Sequence, residues 1–535
     1  MEIKYRLLKI IDTAGLSFLS PVVRLAAGEE PRKQLKDIGR WIVVPVAAML
    51  MFAFLWSVIA PRHKTKSGEV PTPAVVIEAW DGISRFHDNE SAKEDGFQLT
   101  GDARLAELKK AVERLSKVES LEVEANERLK VVRESADAEQ LKVIAPFKKA
   151  YDAKSDEYRD FRKENASRLK EAAVALVEEG ESERLAYLED MRSVEVQTES
   201  LKMERDALKV ALEEAEEQTF PELKEALKAS TLLGEEKQFL IKYIDLVGES
   251  SREFKLAAAR ETLQASRKEF LSSGEGDLYK LCGNIIKNEK FADTIGTSQY
   301  AKPWTLPKQI VRSLFCVFAG FLLASVIAIP IGILCGLSKT FMAAMTPFIA
   351  LFKPVSPLVW LPIVMIIVGG FMPDPDNHWL IVALGKVPIL KDYKIDPMFL
   401  SSAITVALCS LWATLVNTAL GVGSIDKDHL NVARVLRLGF FARLFKIIIP
   451  TALPLIFAGL RISLGVGWMV LVAAEILSTS EGIGKFVNDM YTNGSAESFA
   501  QIFVVVFIVG FIGMVLDRIM VFLQRLVSFD TSPAL

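Results

Sequence analysis

The chain has 535 residues, half of them hydrophobic and 24% charged, with a formal net charge of −3. Such a length allows several domains, and the near-neutral balance offers no bulk case for nucleic-acid binding. A positive mean hydropathy beside so many charges requires segregation into apolar ends and a polar middle.

The first forty residues carry Lys4, Arg6, Lys9, Arg24, Arg32, Lys33, Lys36 and Arg40. Residues 41–60, WIVVPVAAMLMFAFLWSVIA, follow as one apolar run of the length a single span needs. Pro61, Arg62 and His63 come next instead of a small-residue cleavage site, so an uncleaved anchor is expected rather than a removed signal. Residues 1–40 are then a cytoplasmic segment, since short basic flanks stay inside.

Residues 61–300 form a charge-rich insert. Within it, 64–100 read as an irregular or small mixed segment. From Leu105 to about Ser272 the text is helical: Glu, Lys, Ala and Leu dominate, and Leu105, Leu108, Val112 and Leu115 keep an a/d rhythm. Pro146, Gly180, Pro221, Gly234 and Gly248 are candidate breaks. They would fold long helices back on one another as an antiparallel hairpin or coiled-coil stalk. The bland alternative is a solvated single helix or a partly disordered linker.

Apolar text returns near Gln309. Five further spans are expected, near 308–337, 341–371, 399–423, 451–477 and 499–524, with Pro330, Pro347, Pro354, Pro357 and Pro362 as kink sites. The whole reads as an all-α polytopic membrane protein of six spans, with 301–535 forming a five-helix core and 61–300 a long extracytoplasmic insert. An even number of spans returns the C-terminus to the cytoplasm. The short loops bearing Lys339, Arg518 and Arg525 then fall inside, as the positive-inside bias demands.

Residues 427–446 are amphipathic and basic, with Arg434, Arg437, Arg443 and Lys446 around Gly439. Held between two apolar segments, such a helix must project into water, and its cations place that water on the cytoplasmic side. A short exposed helix with a few apolar side chains suits docking to a soluble partner. No phosphate-cradling loop is present: Gly482-Ile483-Gly484-Lys485 lacks the spacing and the following hydroxyl, and a glycine turn after a membrane helix is the better reading. If ATP drives the protein, another chain binds it. Nor is there a nucleophile elbow or a paired-carboxylate arrangement. Cys316, Cys335 and Cys409 lie in apolar text and only Cys282 in the polar region, so no disulfide framework is expected. His63, His87, His378 and His429 are scattered without metal spacing.

Lys353, Arg461 and Glu475 sit inside otherwise apolar spans, where ionisable groups are costly and face a bundle interior or a cavity. A cation near a pathway would lower the barrier to an anion. The competing reading is structural, an Arg461–Glu475 pair or a snorkelling Lys353. Fourteen residues separate Arg461 from Glu475, so within one straight helix the two cannot meet. Trp360 and Trp468 suit packing or interfacial anchoring better than gating.

From about residue 308 to 528 the chain resembles the permease subunits of type I ABC importers. The basic loop, Asn431-Val432-Ala433-Arg434-Val435-Leu436, resembles their coupling motif, with Asn431 where Glu is common and Gly439 about two places late. Ile449-Pro450-Thr451-Ala452-Leu453-Pro454, Gly459-Leu460-Arg461-Ile462 and the run Trp468 to Glu475 also fit. Lys353-Pro354-Val355-Ser356-Pro357, continuing to Trp360-Leu361-Pro362, is similar to the Pro-rich span of the nitrate, sulfonate, taurine and bicarbonate branch, and the coupling loop is closest to its nitrate-type subgroup.

The resemblance implies two permease copies, two cytoplasmic ATPase subunits that bind ATP and Mg, and a periplasmic substrate-binding protein. It places ATPase coupling on Asn431, Val432, Ala433, Arg434, Leu436, Leu438, Gly439 and Phe440. A pathway is expected along Lys353, Ser356, Arg461, Trp468 and Glu475. The chain itself needs no cofactor or metal and carries no catalytic residue. Nitrate or nitrite is the expected cargo, with bicarbonate, cyanate, taurine or an alkanesulfonate as alternatives. A membrane-anchored coiled-coil scaffold or sensor is the rival of another class, and a passive channel a third.

Overall fold

The structure is a computed structural model, and it describes residues 8, 11, 17–62, 64–65, 68–175, 180–216, 221–272, 278–375, 377–385, 393, 395–426, 428, 431, 435–478 and 480–527. The chain divides into two units, Met1–Ser91 with Lys302–Leu535, and Ala92–Ala301.

The first unit opens with α1 (Ser20–Ala26) and α2 (Pro31–Ile38), and a π-turn over Gly39–Val43 leads into α3 (Val44–Ile59). The π-turn has a local cause. Pro45 would drive its ring into the carbonyl of Trp41, four residues back, and widening the turn around Trp41 relieves the clash. A second π-turn, Leu444–Ile448, precedes Pro450 at the same spacing, with Lys446 as the crowded residue.

Lys64–Thr65 and Gly68–Glu69 form a two-residue antiparallel ribbon, β1 and β2. Helix α4 follows over Pro73–Gln98. The irregular or small mixed segment expected over 64–100 is instead helical from Pro73 to Gln98, and the first half of α4 buries Val76, Ala79 and Ile83 with Leu306, Ala500 and Val504. That stretch belongs to the membrane unit, so the insert proper starts later than Pro61.

Within Ala92–Ala301 a spine helix, α5 (Gly101–Ala175), has 75 residues, about 110 Å of rise. α6 (Glu181–Glu216) and α7 (Pro221–Val247) return along it. Arg168 pairs with Asp190 and Lys154 with Glu204, whereas Arg114 pairs with Glu236 and Lys237 with Glu122. One partner number falls as the other rises, so the packing is antiparallel throughout. Gly180, Pro221 and Gly248 do lie at helix ends. Pro146 and Gly234 do not: both sit inside helices, and the flanking pairs place Pro146 opposite the end of α6. The buried seam of α5 includes Ala111 and Val118, and Leu108 and Leu115 are partly buried, while Leu105 and Val112 face water. The heptad is therefore rotated from the expected one. α8 (Arg252–Ser272) and α9 (Leu278–Thr297) make a second hairpin, with Arg267 on Glu289.

The spans resume with α10 (Leu306–Leu337), α11 (Lys339–Phe352), α12 (Pro357–Phe371), a short α13 (Trp379–Gly385), α14 (Pro397–Gly423), α15 (Phe440–Arg443), α16 (Ile449–Ser478), α17 (Ile483–Asn493) and α18 (Ala496–Val527). Small residues recur every fourth position on α10 at Gly320, Ala324, Ala328, Gly332 and Gly336. They let α14 approach so closely that a Cβ would stand 2.7 Å from Val406 at Gly320, 2.7 Å from Thr418 at Gly332 and 2.5 Å from Val422 at Gly336. Both numbers rise together, so α10 and α14 are parallel. Gly421 meets Ala452 and Gly459 meets Thr414, so α14 and α16 are antiparallel. Arg461 meets Asp517 and Trp468 meets Val509, so α16 and α18 are antiparallel too.

Five helices among the described residues are long and apolar enough to cross a membrane, and α11 and α12 together make a sixth candidate bent by 100°. If α10 and α14 both cross, their parallel direction requires the chain to return between them, and among the described residues the bent pair is the candidate for that return. The expected span 341–371 is thus two helices broken at Lys353–Ser356. Trp56 stacks on Phe503, which sets the C-terminal end of α3 beside the start of α18. One end of the bundle therefore gathers the end of α3, the starts of α10, α14 and α18 and the end of α16. Ser91 and Lys302, which bracket the second unit, are hydrogen bonded at 2.9 Å. The loop after α14 lies at the opposite end.

Candidate functional site

The loop between α14 and α16 is anchored from below and bare above. Ile448 is fully buried among Ile333, Val422, Ile425, Ala452 and Ile456. Ahead of it Val435, Leu436, Phe440, Phe441 and Phe445 are exposed, Val435 by 82% and Phe441 by 72%. Phe440 and Phe441 meet edge to face at 5.5 Å. Arg437, Arg443 and Lys446 interleave with them. Exposed apolar groups rimmed by cations on a short, well-anchored segment make a docking surface.

The expected single helix over 427–446 is interrupted. Arg437 takes a left-handed φ of 49°, and helix resumes only at Phe440. Gly439 has an ordinary φ of −62°, and a Cβ there would meet nothing within 4 Å. Glycine is required here neither by the backbone nor by a neighbour within the chain, and the turn is made at Arg437. Leu438 is half-buried and Asn431 exposed. Val432, Ala433 and Arg434 lie outside the described residues, as do His63 and His429.

The charged groups inside the spans fall into three places. Lys353 and Ser356 occupy the elbow between α11 and α12, where Lys353 is exposed and the Ser356 hydroxyl accepts from Leu358 N–H, capping α12. Arg461 forms a two-pronged ion pair with Asp517 of α18 at 2.5 and 2.9 Å. The structural partner of Arg461 is thus Asp517 and not Glu475. Trp468 is buried and donates its indole N–H to Val509 O at 3.1 Å. Arg461, Asp517 and Trp468 line one small cavity of about 30 Å³ with Leu464, Gly465 and Gly513, room for about one water.

Glu475 belongs to a cluster that sequence reasoning missed. Only 1% exposed, it accepts from Ser313 Oγ at 2.7 Å and from Gly484 N–H at 2.9 Å. Arg312, next in chain to Ser313 and equally buried, donates to Ser480 Oγ at 2.8 Å, Asp396 Oδ1 at 3.0 Å and the Glu481 carbonyl, with Trp304 and Phe399 against its guanidinium. Gly482 and Gly484 wrap Glu475 so tightly that a Cβ at Gly482 would overlap its carboxylate. The Gly482-Ile483-Gly484-Lys485 run is therefore a turn around a side chain of its own protein, and Lys485 pairs with Glu481. The available signal was Arg312 in the first turns of a span, followed far downstream by a Ser- and Gly-rich loop.

The chain matches the family described as binding-protein-dependent transport system inner membrane component over residues 328–529. It is 35% identical over 252 residues to the nitrate import permease of Synechococcus elongatus, covering 46% of this chain and 79% of that protein. With the bicarbonate transport system permease of the same organism it shares 34% over 218 residues, 41% of this chain and 68% of the relative. The taurine transport system permease of Escherichia coli is 32% identical over 195 residues, 36% of this chain and 61% of that one.

Proposed function

Because the chain belongs to the binding-protein-dependent transport system inner membrane components, the permease subunits of ABC importers, we propose that it moves a small inorganic anion, nitrate before others, across the cytoplasmic membrane. It is a transport subunit, and ATPase and substrate-binding partners complete the importer. Two copies of the chain line the route. Two ATPase subunits bind ATP and Mg below, and a binding protein delivers the anion to the face that carries the insert. Both termini then lie in the cytoplasm and residues 92–301 in the periplasm.

The observation that carries this reading is the bare cluster Val435, Leu436, Phe440, Phe441 and Phe445 on a basic loop, at the bundle end opposite Ser91, Lys302 and the start of α10. Apolar side chains on a short rigid segment fit a groove on an ATPase, and cations beside them suit the cytoplasmic side. A scaffold or sensor would leave this surface and the six crossings without a role. Arg461 is compensated by Asp517, and among the described residues the exposed Lys353 at the elbow is a cation that would favour an anion. Ser356, Trp468 and Glu475 shape and hold the helices beside that route. The insert acts as a stalk that holds a partner near the mouth.

The choice of nitrate rests on the nitrate-type form of the coupling loop, and the nitrate import permease of Synechococcus elongatus is among the relatives matched. Uptake into proteoliposomes holding the complete importer tests the reading. Nitrate accumulation that excess nitrate abolishes, and that bicarbonate, cyanate and taurine leave nearly intact, is expected. Bicarbonate or taurine outcompeting nitrate would replace the cargo, and uptake without ATP would replace the mechanism.

A further inference from the structure

The hairpin ahead of the first span lies outside the elements assigned above to coupling or to the pathway. Gly28 at φ 75° and Glu30 at φ 37° reverse the chain between α1 and α2, and Pro21 of α1 and Gln34 of α2 are buried. α2 continues through the π-turn into α3, so that Pro31–Arg62 is one helical run whose apolar window is wholly unburied within the chain. Read as a span, the run meets hydrocarbon along its apolar part, and its water boundary falls where charge gives way, at Arg40 and Trp41. Arg40 lies over the Trp41 ring at 5.5 Å, with Trp41 exposed. Aromatic and cationic side chains concentrate at that depth of a bilayer.

Because α1 folds back on α2, its start returns toward the same boundary. Phe18 ahead of α1 and Val22 within it are exposed, and α2 adds exposed Leu35. Exposed Arg24, Arg32, Lys33, Lys36 and Arg40 surround them. Glu30 pairs with Lys33 at 3.5 Å, and Glu29 and Asp37 are the other described acids, so cations outnumber acids by five to three. Apolar side chains at acyl depth beneath a ring of cations match an anionic lipid surface in both respects.

We propose that the α1–α2 hairpin docks on anionic phospholipid headgroups, with Phe18, Val22 and Leu35 entering the interface and Arg32, Lys33 and Lys36 binding phosphates. The proposal rests on the reading of Pro31–Arg62 as a span and is independent of the cargo. The test uses the full chain with its ATPase in nanodiscs of phosphatidylcholine, with or without phosphatidylglycerol.

Phosphatidylglycerol should be enriched in lipid co-purifying with the protein. Arg32→Gln, Lys33→Gln and Lys36→Gln should each lower that enrichment, up to roughly fivefold per charge at low salt, the equivalent of about 1 kcal/mol. A fluorophore on Val22→Cys, in a Cys282→Ser chain, should shift to an apolar environment only when phosphatidylglycerol is present. Unchanged enrichment in the combined variant overturns the proposal. So does a label that stays in water, or one that shifts on adding the ATPase but not the anionic lipid, which would make the hairpin a protein-docking element.

Discussion

Arg461 and Asp517 retain 39% and 35% of their side-chain exposure in the single chain, although both lie in spans. A pair so placed cannot face hydrocarbon without several kcal/mol of cost, so its open side calls for a polar cavity or a protein neighbour. Arg461→Gln or Asp517→Asn should each destabilise the assembled complex by about 2–3 kcal/mol, the cost of stranding a charge, and the double variant should recover most of it. Thermal unfolding in detergent decides: a double variant no better than either single removes the pair as the cause. Gly482→Ala should cost about 1–3 kcal/mol because its methyl overlaps Glu475, while Gly465→Ala, with nothing within 4 Å, should cost little. Equal stability of the two would contradict the packing described around Glu475. Arg461 and Glu475 were legible in the sequence as intramembrane ions. Their partners were not, because Asp517 and Ser313 come from distant spans that only tertiary packing brings near. Arg312 escaped because it stands at the edge of an apolar run, where a basic residue passes for a flank.

The elements were legible where composition governs and obscure where geometry does. Apolar runs marked the spans, and helix-rich text marked the insert. The break at Lys353–Ser356 was foreshadowed only by proline density, and its 100° angle is a property of packing. Pro146 shows the reverse error, since a long helix supported on both sides tolerates a residue that would end an isolated one. The start of α5 offers a pH test. Glu253 accepts from Gly101 N–H at 2.9 Å and pairs with Arg104, and these contacts hold its carboxyl below the ordinary range. A depressed carboxylate stabilises the fold above its unfolded value and loses that contribution as pH falls through the folded one. Amide protection at residues 101–104, taken relative to the intrinsic exchange rate at each pH, should therefore fall on acidification below the ordinary carboxylate range. Glu253→Gln should exchange faster at neutral pH and lose the dependence. An acid response identical in that variant would assign it to another group.

At the scale of the molecule, the Ser91–Lys302 hydrogen bond closes the membrane unit where the insert leaves it. The first half of α4 belongs to that unit, which composition could not reveal because its buried Val76, Ala79 and Ile83 are spaced among charges. Joining Ser91 to Lys302 by a short linker should therefore leave a six-span permease that assembles with its ATPase and hydrolyses ATP at the basal rate. Removal from Pro71 onward should impair assembly, since it takes away a buried face. As a stalk, the insert should matter only at limiting binding protein, where tethering raises effective concentration. Wild-type transport there without residues 92–301 would deny it that role, and failed assembly of the shorter deletion would move the unit boundary.

The central claim, that this bundle is driven through the loop bearing Phe440 and Phe441, meets its most direct test in Gly439→Asp. The residue has ordinary backbone angles and open space around it, so the variant should fold, insert and assemble as the wild type does. Any loss then reports close approach by a partner. ATP hydrolysis is measured in the reconstituted importer with and without nitrate-loaded binding protein. The account predicts strong stimulation in the wild type and its loss in Gly439→Asp with basal hydrolysis retained. Full stimulation in an assembled Gly439→Asp complex would contradict it.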